Sequence, residues 1–585
     1  MSRPTLPVLL ATLFIACAPQ PGPLRAQNLV PADWVLVRGD DAGFLAAESG
    51  TPEGQPIDLC LGWERQGFPG GESACLGAEF TAPETLRATG LRYEFALLAR
   101  QAELFVNGRL VATAPAGGKT ASGRLPDDLL RWGGKNRISA RVLGHPWTGG
   151  DVRDFIRILP ADDSFPRLDV EVLHPNPAHE YPDSRDIVLP IRLETTAGAE
   201  MAGDLRWWVE SDFHQRVRDG RSTFRAGTAG AAPLTLALGK LAPGFYCVCL
   251  RFSWDHREVA KDFWIAVAPT KIASAPSLPP DFDDYWQRAR KELAAVPPAF
   301  AVTPEPGLST AKQAVFTVSM RSLGGVELKG WYIVPARGGR FPAVLHLPGY
   351  GATMRPQRFL DGSEDVIRFA LDIRGHGRST AAINPGFGMP GYVGYQIHDP
   401  EQYVYRGAYM DCGRALEFLA SREEVDAGRI AVNGFSQGGG LAFAAAALFP
   451  EYVSACAAGV PFLGVPQEHF RIRTIYREEM ERHLALAKQG TWDDTLRSLG
   501  LVDTANLASR IRCPVFMAVA LHDDDCPPHI GFAVYNRLTA PKSYQIFPDV
   551  GHGMGGRWPA TSMAWIRSQL GLARAAVPPP DGGTR

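Results

Sequence analysis

Three residues far apart in the chain have the types that acyl transfer requires: Ser436, Asp523 and His552. Ser436 lies in the stretch NGFSQGGGL, Asn433–Leu441, one hydroxyl set among four glycines directly after the apolar run RIAV. Glycine is costly inside regular structure, so such a cluster marks a sharp turn or a close approach of backbones. The pattern Gly434-x-Ser436-x-Gly438 is that of a strand–turn–helix that lifts a serine oxygen above a sheet. A hydroxyl attacks an ester only when a base removes its proton, and the base needs a carboxylate to orient it. His552 is a histidine flanked by glycines, following the apolar run SYQIFPDV. The run CPVFMAVAL ends in His522-Asp523-Asp524-Asp525, which puts carboxylates at the end of a buried-type strand. Asp523 comes soonest after that strand and is the expected acid; Asp524 and Asp525 stay open, and His522 is the second choice of base. The tetrahedral oxyanion needs two donors. The N–H after the nucleophile, on Gln437, is one, and the loop LHLPGYGA offers the N–H of Tyr350 as the other.

These positions need a rigid frame. From about residue 281 the runs FPAVLHLP, IRFALDI, RIAVNGF, CPVFMAVAL and SYQIFPDV alternate with helical stretches such as YMDCGRALEFLASR and GGGLAFAAAALFP. Apolar runs of this kind belong to strands covered on both faces. Their alternation with helices predicts a doubly wound, mostly parallel sheet, the α/β-hydrolase architecture, over 281–572. A helix starting behind Ser436 would also point N–H groups and its positive dipole end at charge forming there.

The first half reads differently. Residues 28–160 carry short β-rich runs (RYEFAL, AELFV, RLVAT, NRISARVL), with Asn107-Gly108 as a hairpin turn signal. Residues 165–268 give a second series, including LRWWVES, FYCVCLRFSW and KDFWIAVAP, spaced like an immunoglobulin-like sandwich. Two all-β sandwich domains followed by a linker over 269–280 are therefore expected before the catalytic domain. Residues 573–585, rich in Pro and Gly, read as a disordered tail. Arg3 precedes an apolar run of about thirteen residues, LPVLLATLFIACA, too short to span a bilayer and typical of an export leader, with cleavage expected after Ala26. Lipid attachment at Cys17 is the alternative. Export permits disulfides, and Cys60–Cys75 is the pair proposed; Cys247 and Cys249, two apart, share a strand face and read as core. A formal charge of −2 gives no reason to expect nucleic acid as a partner, and no later segment reads as a membrane span.

Two resemblances follow from longer stretches. AELFVNGRLVATAPAGG with LPDDLLRWGGKNRISARV is similar to galactose-binding-like modules attached to glycoside hydrolases. Residues 278–570 resemble the acetyl xylan esterases and cephalosporin C deacetylases of carbohydrate esterase family seven. The likeness rests on PPDFDDYWQRARKEL, GYVGYQIHDPEQYVYRGAYMDCGRALEFL, VDAGRIAVNGFSQGGGLAFAAAAL and CPPHIGFAVYN. It implies the triad Ser436, Asp523 and His552, an oxyanion hole from the Tyr350 and Gln437 amides, no cofactor or metal, and an acetylated oligosaccharide or polysaccharide as substrate. Arg406 and its neighbouring tyrosines read as holding a loop together rather than touching substrate. The chain departs from the family at Arg374–Thr380, RGHGRST, where a Gln-Gly-Gly sequence is usual, at Ala520-Leu521-His522, and in GMGG after His552. These changes bear on the substrate, and the β-domains bear on the oligomeric state, which the sequence leaves open. A serine peptidase and a carbohydrate-binding protein with an inactive hydrolase domain are the alternative functions.

Overall fold

The computed structural model describes residues 28–572 apart from 32, 60–65, 67–72, 98–100, 115–119, 144–154, 163–166, 197–198, 228–232, 276, 382 and 388–390. The expected leader, Cys17, Cys60 and the tail lie outside the described residues. Among those described, no helix is long and apolar enough to cross a membrane.

In the N-terminal part a six-stranded sheet (from Asp33–Arg38 to Lys135–Leu143) faces a three-stranded sheet of Leu91–Ala96, Ala121–Arg124 and Phe155–Pro160. Leu36, Leu76, Leu104 and Ile138 of the first sheet and Leu91, Phe95 and Ile158 of the second share one apolar core, which makes this a β-sandwich. Asn107 (φ 47°) and Gly108 (φ 77°) form the expected two-residue hairpin turn, with both residues at the positive φ that a type I′ turn demands. Cys75 is a buried free thiol that accepts the Asp41 N–H at 3.4 Å. A second sandwich packs a three-stranded sheet (Leu168–Val172, Ile187–Thr195, Leu234–Gly239) on a five-stranded one built around Gly244–Trp254. Cys247 and Cys249 are free thiols buried beside Trp208 and Trp264.

The remaining residues form a nine-stranded sheet. Its strands are β1 (Ala301–Pro304), β2 (Gln313–Arg321), β3 (Glu327–Pro335), β4 (Phe341–Leu347), β5 (Ile367–Asp372), β6 (Val425–Phe435), β7 (Ala455–Gly459), β8 (Val515–Ala520) and β9 (Lys542–Phe547). The spatial order is β1-β2-β3-β5-β4-β6-β7-β8-β9, antiparallel from β1 to β5 and parallel from there onward. The parallel strands β4, β5, β7 and β8 are buried along their whole length because helices cover both faces. Those helices include α1 (Phe282–Ala295), α2 (Val404–Ala420), α3 (Gln437–Leu448), α4 (Pro466–Ile472), α5 (Thr474–Ala487), α6 (Pro528–Tyr535) and α7 (Trp558–Gln569). Arg406 on α2 donates to Glu292 on α1 at 2.9 Å and pairs with Glu401, so it joins helix to loop, as read from the sequence.

The second sandwich is not a loose appendage. Phe245 and Ala266 belong to the same core as the nine-stranded sheet, and Phe245 lies 5.7 Å from Phe532 of α6. The turn between Met201–Ser211 and Arg216–Ala226 reaches α4 and α6, where Asp212 meets His529 at 2.8 Å and His214 meets the Ile472 carbonyl at 2.7 Å. The first sandwich is held to the second by Arg251, fully buried between Asp58 (2.5 Å) and Asp262 (2.6 Å).

Candidate active site

β6 ends at Phe435 and α3 begins at Gln437, so Ser436 alone makes the turn between them. It does so at φ 60°, ψ −123°, a region sparsely populated by residues with a side chain. The glycines around it are there because the backbones meet. A Cβ on Gly434 would lie 1.9 Å from the Gly438 carbonyl oxygen, and one on Gly438 would lie 2.5 Å from that of Leu347. Gly440 likewise leaves room for the Phe462 carbonyl, which a Cβ would approach to 2.2 Å. The Gly439 N–H closes the turn by donating to the Ser436 carbonyl at 2.9 Å. The hydroxyl is thereby fixed at the N-terminal end of a twelve-residue helix whose first N–H groups have no intrahelical partner.

The structure brings all three chemically marked residues together. The Ser436 hydroxyl is 3.0 Å from His552 Nε2. His552 Nδ1 is 3.0 Å from each oxygen of Asp523. Asp523 lies just past the end of β8, after Leu521 and His522, and is buried, with Oδ1 accepting the N–H groups of Asp525 (2.9 Å) and Cys526 (2.8 Å). Burial nonetheless raises the Asp523 pKa above its ordinary value, against the lowering influence of His552 first and of the Cys526 N–H last. Burial works against a charged imidazole, but the Asp523 carboxylate outweighs it and raises the His552 pKa well above its ordinary value.

The other acidic residues of the run do different things. The Asp524 carbonyl accepts from Arg473, and Asp525 turns its carboxylate toward the site, with Oδ2 4.0 Å from His552 Nε2. His522 stays at the strand end, its N–H donating to the Val550 carbonyl, and the histidine beside Ser436 is His552.

Tyr350 and Gln437 sit on the two segments that border the hydroxyl, the loop after β4 and the first residue of α3. One buried side chain ties these segments together: His376, from the divergent stretch RGHGRST. Its Nε2 accepts from the Gly351 N–H at 3.3 Å and from the Gln437 side-chain amide at 3.0 Å. Because both partners are donors, Nε2 must carry the lone pair, and burial lowers the pKa to about 4, which keeps the ring neutral. The Gln437 amide oxygen is in turn held by the Tyr405 hydroxyl at 2.8 Å.

Sequence reasoning singled out Arg374–Thr380 only as a departure; the histidine among its glycines was the available signal for this role. It missed Tyr476 of α5, which donates to Asp525 at 3.2 Å, and Cys526, 3.8 Å from the Ser436 oxygen. Burial pushes the Cys526 thiol up to about 11, so it lines the site as a neutral group.

A strand–turn–helix carrying a serine at the C-terminal end of an interior strand of a mostly parallel sheet, with a histidine and a carboxylate from later loops, is the arrangement of α/β-hydrolases. The family model described as acetyl xylan esterase (AXE1) matches residues 270–569, just over half of the chain. The chain therefore belongs to the acetyl xylan esterase family, and this membership supports an acetyl esterase activity. It is similar to the acetyl esterase Axe7A of Xylanibacter ruminicola, 24% identical over 377 residues, 63% of this chain and 83% of that one. That alignment is longer than the family match and so reaches into the strands that precede it. Among solved structures it is similar to an acetyl xylan esterase from Paenibacillus sp. R4, with 31% identity, 52% of this chain and 98% of that one covered, and a TM-score of 0.47. Acetyl xylan esterase 1 from Thermoanaerobacterium sp. JW/SL YS485 matches at 26% identity over 52% of this chain and 97% of its own, with a TM-score of 0.45.

Proposed function

We propose that the protein is an exported serine esterase that removes acetyl groups from esterified carbohydrates, with Ser436, His552 and Asp523 as its triad. The observation that carries this reading is the unbroken line of contacts from the Ser436 hydroxyl through His552 to Asp523, each 3.0 Å long. His552 Nε2 takes the hydroxyl proton as Ser436 attacks the acetyl carbonyl. The N–H groups of Gln437 and Tyr350 receive the oxyanion, and the helix behind Ser436 adds its positive end. The imidazolium, stabilised by Asp523, then protonates the departing sugar oxygen. Water, activated by the same histidine, releases acetate from the acetyl-serine.

The carbohydrate as substrate is supported by the family and by the acetyl esterase Axe7A. Export is supported by the apolar run after Arg3. The test is acetate release from acetylated xylan, pectin and manno-oligosaccharides, run beside p-nitrophenyl acetate and an aminoacyl-p-nitroanilide. Acetate release with no amide cleavage is the expected result. Amide cleavage without ester hydrolysis replaces this reading with a peptidase, and silence on every substrate replaces it with a binding protein.

A further inference from the structure

Asp525 is held in three ways. Its N–H donates to Asp523 Oδ1 at 2.9 Å, its carbonyl meets His469 Nε2 at 3.2 Å, and its Oδ1 accepts the Tyr476 hydroxyl at 3.2 Å. The second oxygen, Oδ2, is left facing the reacting centre, 4.0 Å from His552 Nε2. That is too long for a hydrogen bond and short enough for one further polar atom to touch both. The side chain is about one-fifth exposed, so the space beside it opens toward solvent.

His552 Nε2 is the atom that hands a proton to the departing oxygen, so the leaving group must lie against it. A carboxylate beside that oxygen opposes the negative charge developing there unless a donor stands between them. A polyol leaving group supplies such a donor. Adjacent oxygens on one sugar ring lie about a hydrogen-bond length apart. One can receive the proton of His552 while its neighbour donates its own O–H to Asp525. The 4.0 Å gap between Nε2 and Oδ2 suits that four-membered circuit of imidazole, departing oxygen, neighbouring hydroxyl and carboxylate.

We infer that Asp525 is a specificity-determining residue that selects esters whose alcohol carries a free hydroxyl next to the esterified oxygen, accepting a hydrogen bond from that hydroxyl. This inference rests on the esterase reading above. It also makes Tyr476 a positioning residue, which acts by fixing Asp525.

The probes are methyl 2-O-acetyl-β-xylopyranoside and the same compound with its 3-hydroxyl converted to a methyl ether. The wild-type enzyme is expected to favour the free hydroxyl by about tenfold to hundredfold in kcat/KM, the value of a hydrogen bond to a charged group. In Asp525→Asn and Asp525→Leu that preference should fall to within about threefold of unity. Tyr476→Phe should give an intermediate ratio. Reading a ratio between two substrates removes any general loss from misfolding, which affects both equally. Equal treatment of the two esters by the wild-type enzyme overturns the inference, as does a preference that persists in both Asp525 variants. Hydrolysis of both esters with no preference leaves the esterase reading standing; hydrolysis of neither overturns this inference, and silence on p-nitrophenyl acetate and the acetylated polysaccharides as well overturns that reading with it.

Discussion

Two histidines among the described residues, His529 and the less deeply buried His552, each sit against carboxylates, and the difference between them separates a clamp from the proposed catalyst. His529, where the second sandwich meets α4 and α6, has a carboxylate on each ring nitrogen, Asp212 at 2.8 Å and Glu468 at 2.9 Å. Burial disfavours its charge, but the two hydrogen bonds and two negative charges outweigh that and push its pKa up to about 9. It stays an imidazolium at neutral pH, and the three groups form a salt bridge across the interface. His552 has a carboxylate hydrogen-bonded to Nδ1 and a hydroxyl to Nε2, with the second carboxylate, Asp525, held off at 4.0 Å. With one nitrogen bonded to a group that gives and takes protons, the ring can cycle between its charged and neutral forms, as a general base must. Two acids make a fixed cation; one acid and one alcohol make a proton carrier.

The largest effect should come from removing the acid hydrogen-bonded to the proposed catalytic histidine. Asp523→Asn should lower kcat on p-nitrophenyl acetate by about 10⁴-fold, the scale seen when a triad acid is lost elsewhere. The same variant sharpens the comparison through pH. Because Asp523 raises the His552 pKa, the wild-type rate should climb with pH along a limb set above the ordinary histidine value. Without the negative charge that limb should move to lower pH, although the remaining rate is small. A limb that stays in place shows that another group sets it.

A smaller effect is expected at His376, a buried histidine whose Nε2 is an acceptor and which has no carboxylate hydrogen-bonded to it among the described residues. His376→Leu frees both oxyanion segments and should cost about tenfold to hundredfold in kcat with KM nearly unchanged, less than deletion of an oxyanion donor itself. His376→Gln, which can offer an amide oxygen in the same direction, should recover most of the rate. An equal loss in both variants points to packing against Tyr392 and Phe387 as the only role of the ring.

How much of this was legible beforehand follows from how each feature is encoded. The turn at Ser436 could be read because its constraint is local: Gly434 and Gly438 stand on either side of Ser436, and only glycine fits there. Asp523 and His552 could be read because each follows an apolar strand. The antiparallel edge β1–β3 went unread, since strands exposed along one side lack the continuous apolar runs that marked β4 and β8. So did helix α4, whose last residue, Ile472, is met by His214 of the second sandwich. The contacts of His376, and of Asp525, which the sequence offered only as an alternative acid, went unread for a related reason. Their partners are 61 and 27 positions away, and nothing in a local pattern says which nitrogen or oxygen will face which.

The smallest effect, and the one that tests the clamp, concerns Asp212. Since the folded pKa of His529 exceeds its ordinary value of 6.5, its stabilising contribution is complete below pH 6.5 and is lost as pH rises through about 9. Asp212→Asn removes one of the two acids and leaves Glu468, so at pH 6 it should destabilise the chain by about 1–2 kcal/mol, a few degrees in the melting midpoint. At pH 9.5 the wild-type ring is mostly neutral, and Asp212 becomes a buried carboxylate with no cation opposite it. There the variant should melt at the same temperature as the wild type or above it, because an amide is easier to bury than an uncompensated charge. Calorimetry of both proteins at the two pH values decides the matter. A difference that keeps its size and sign at pH 9.5 shows that Asp212 contributes through hydrogen bonding alone, and that His529 is not the cation at this interface.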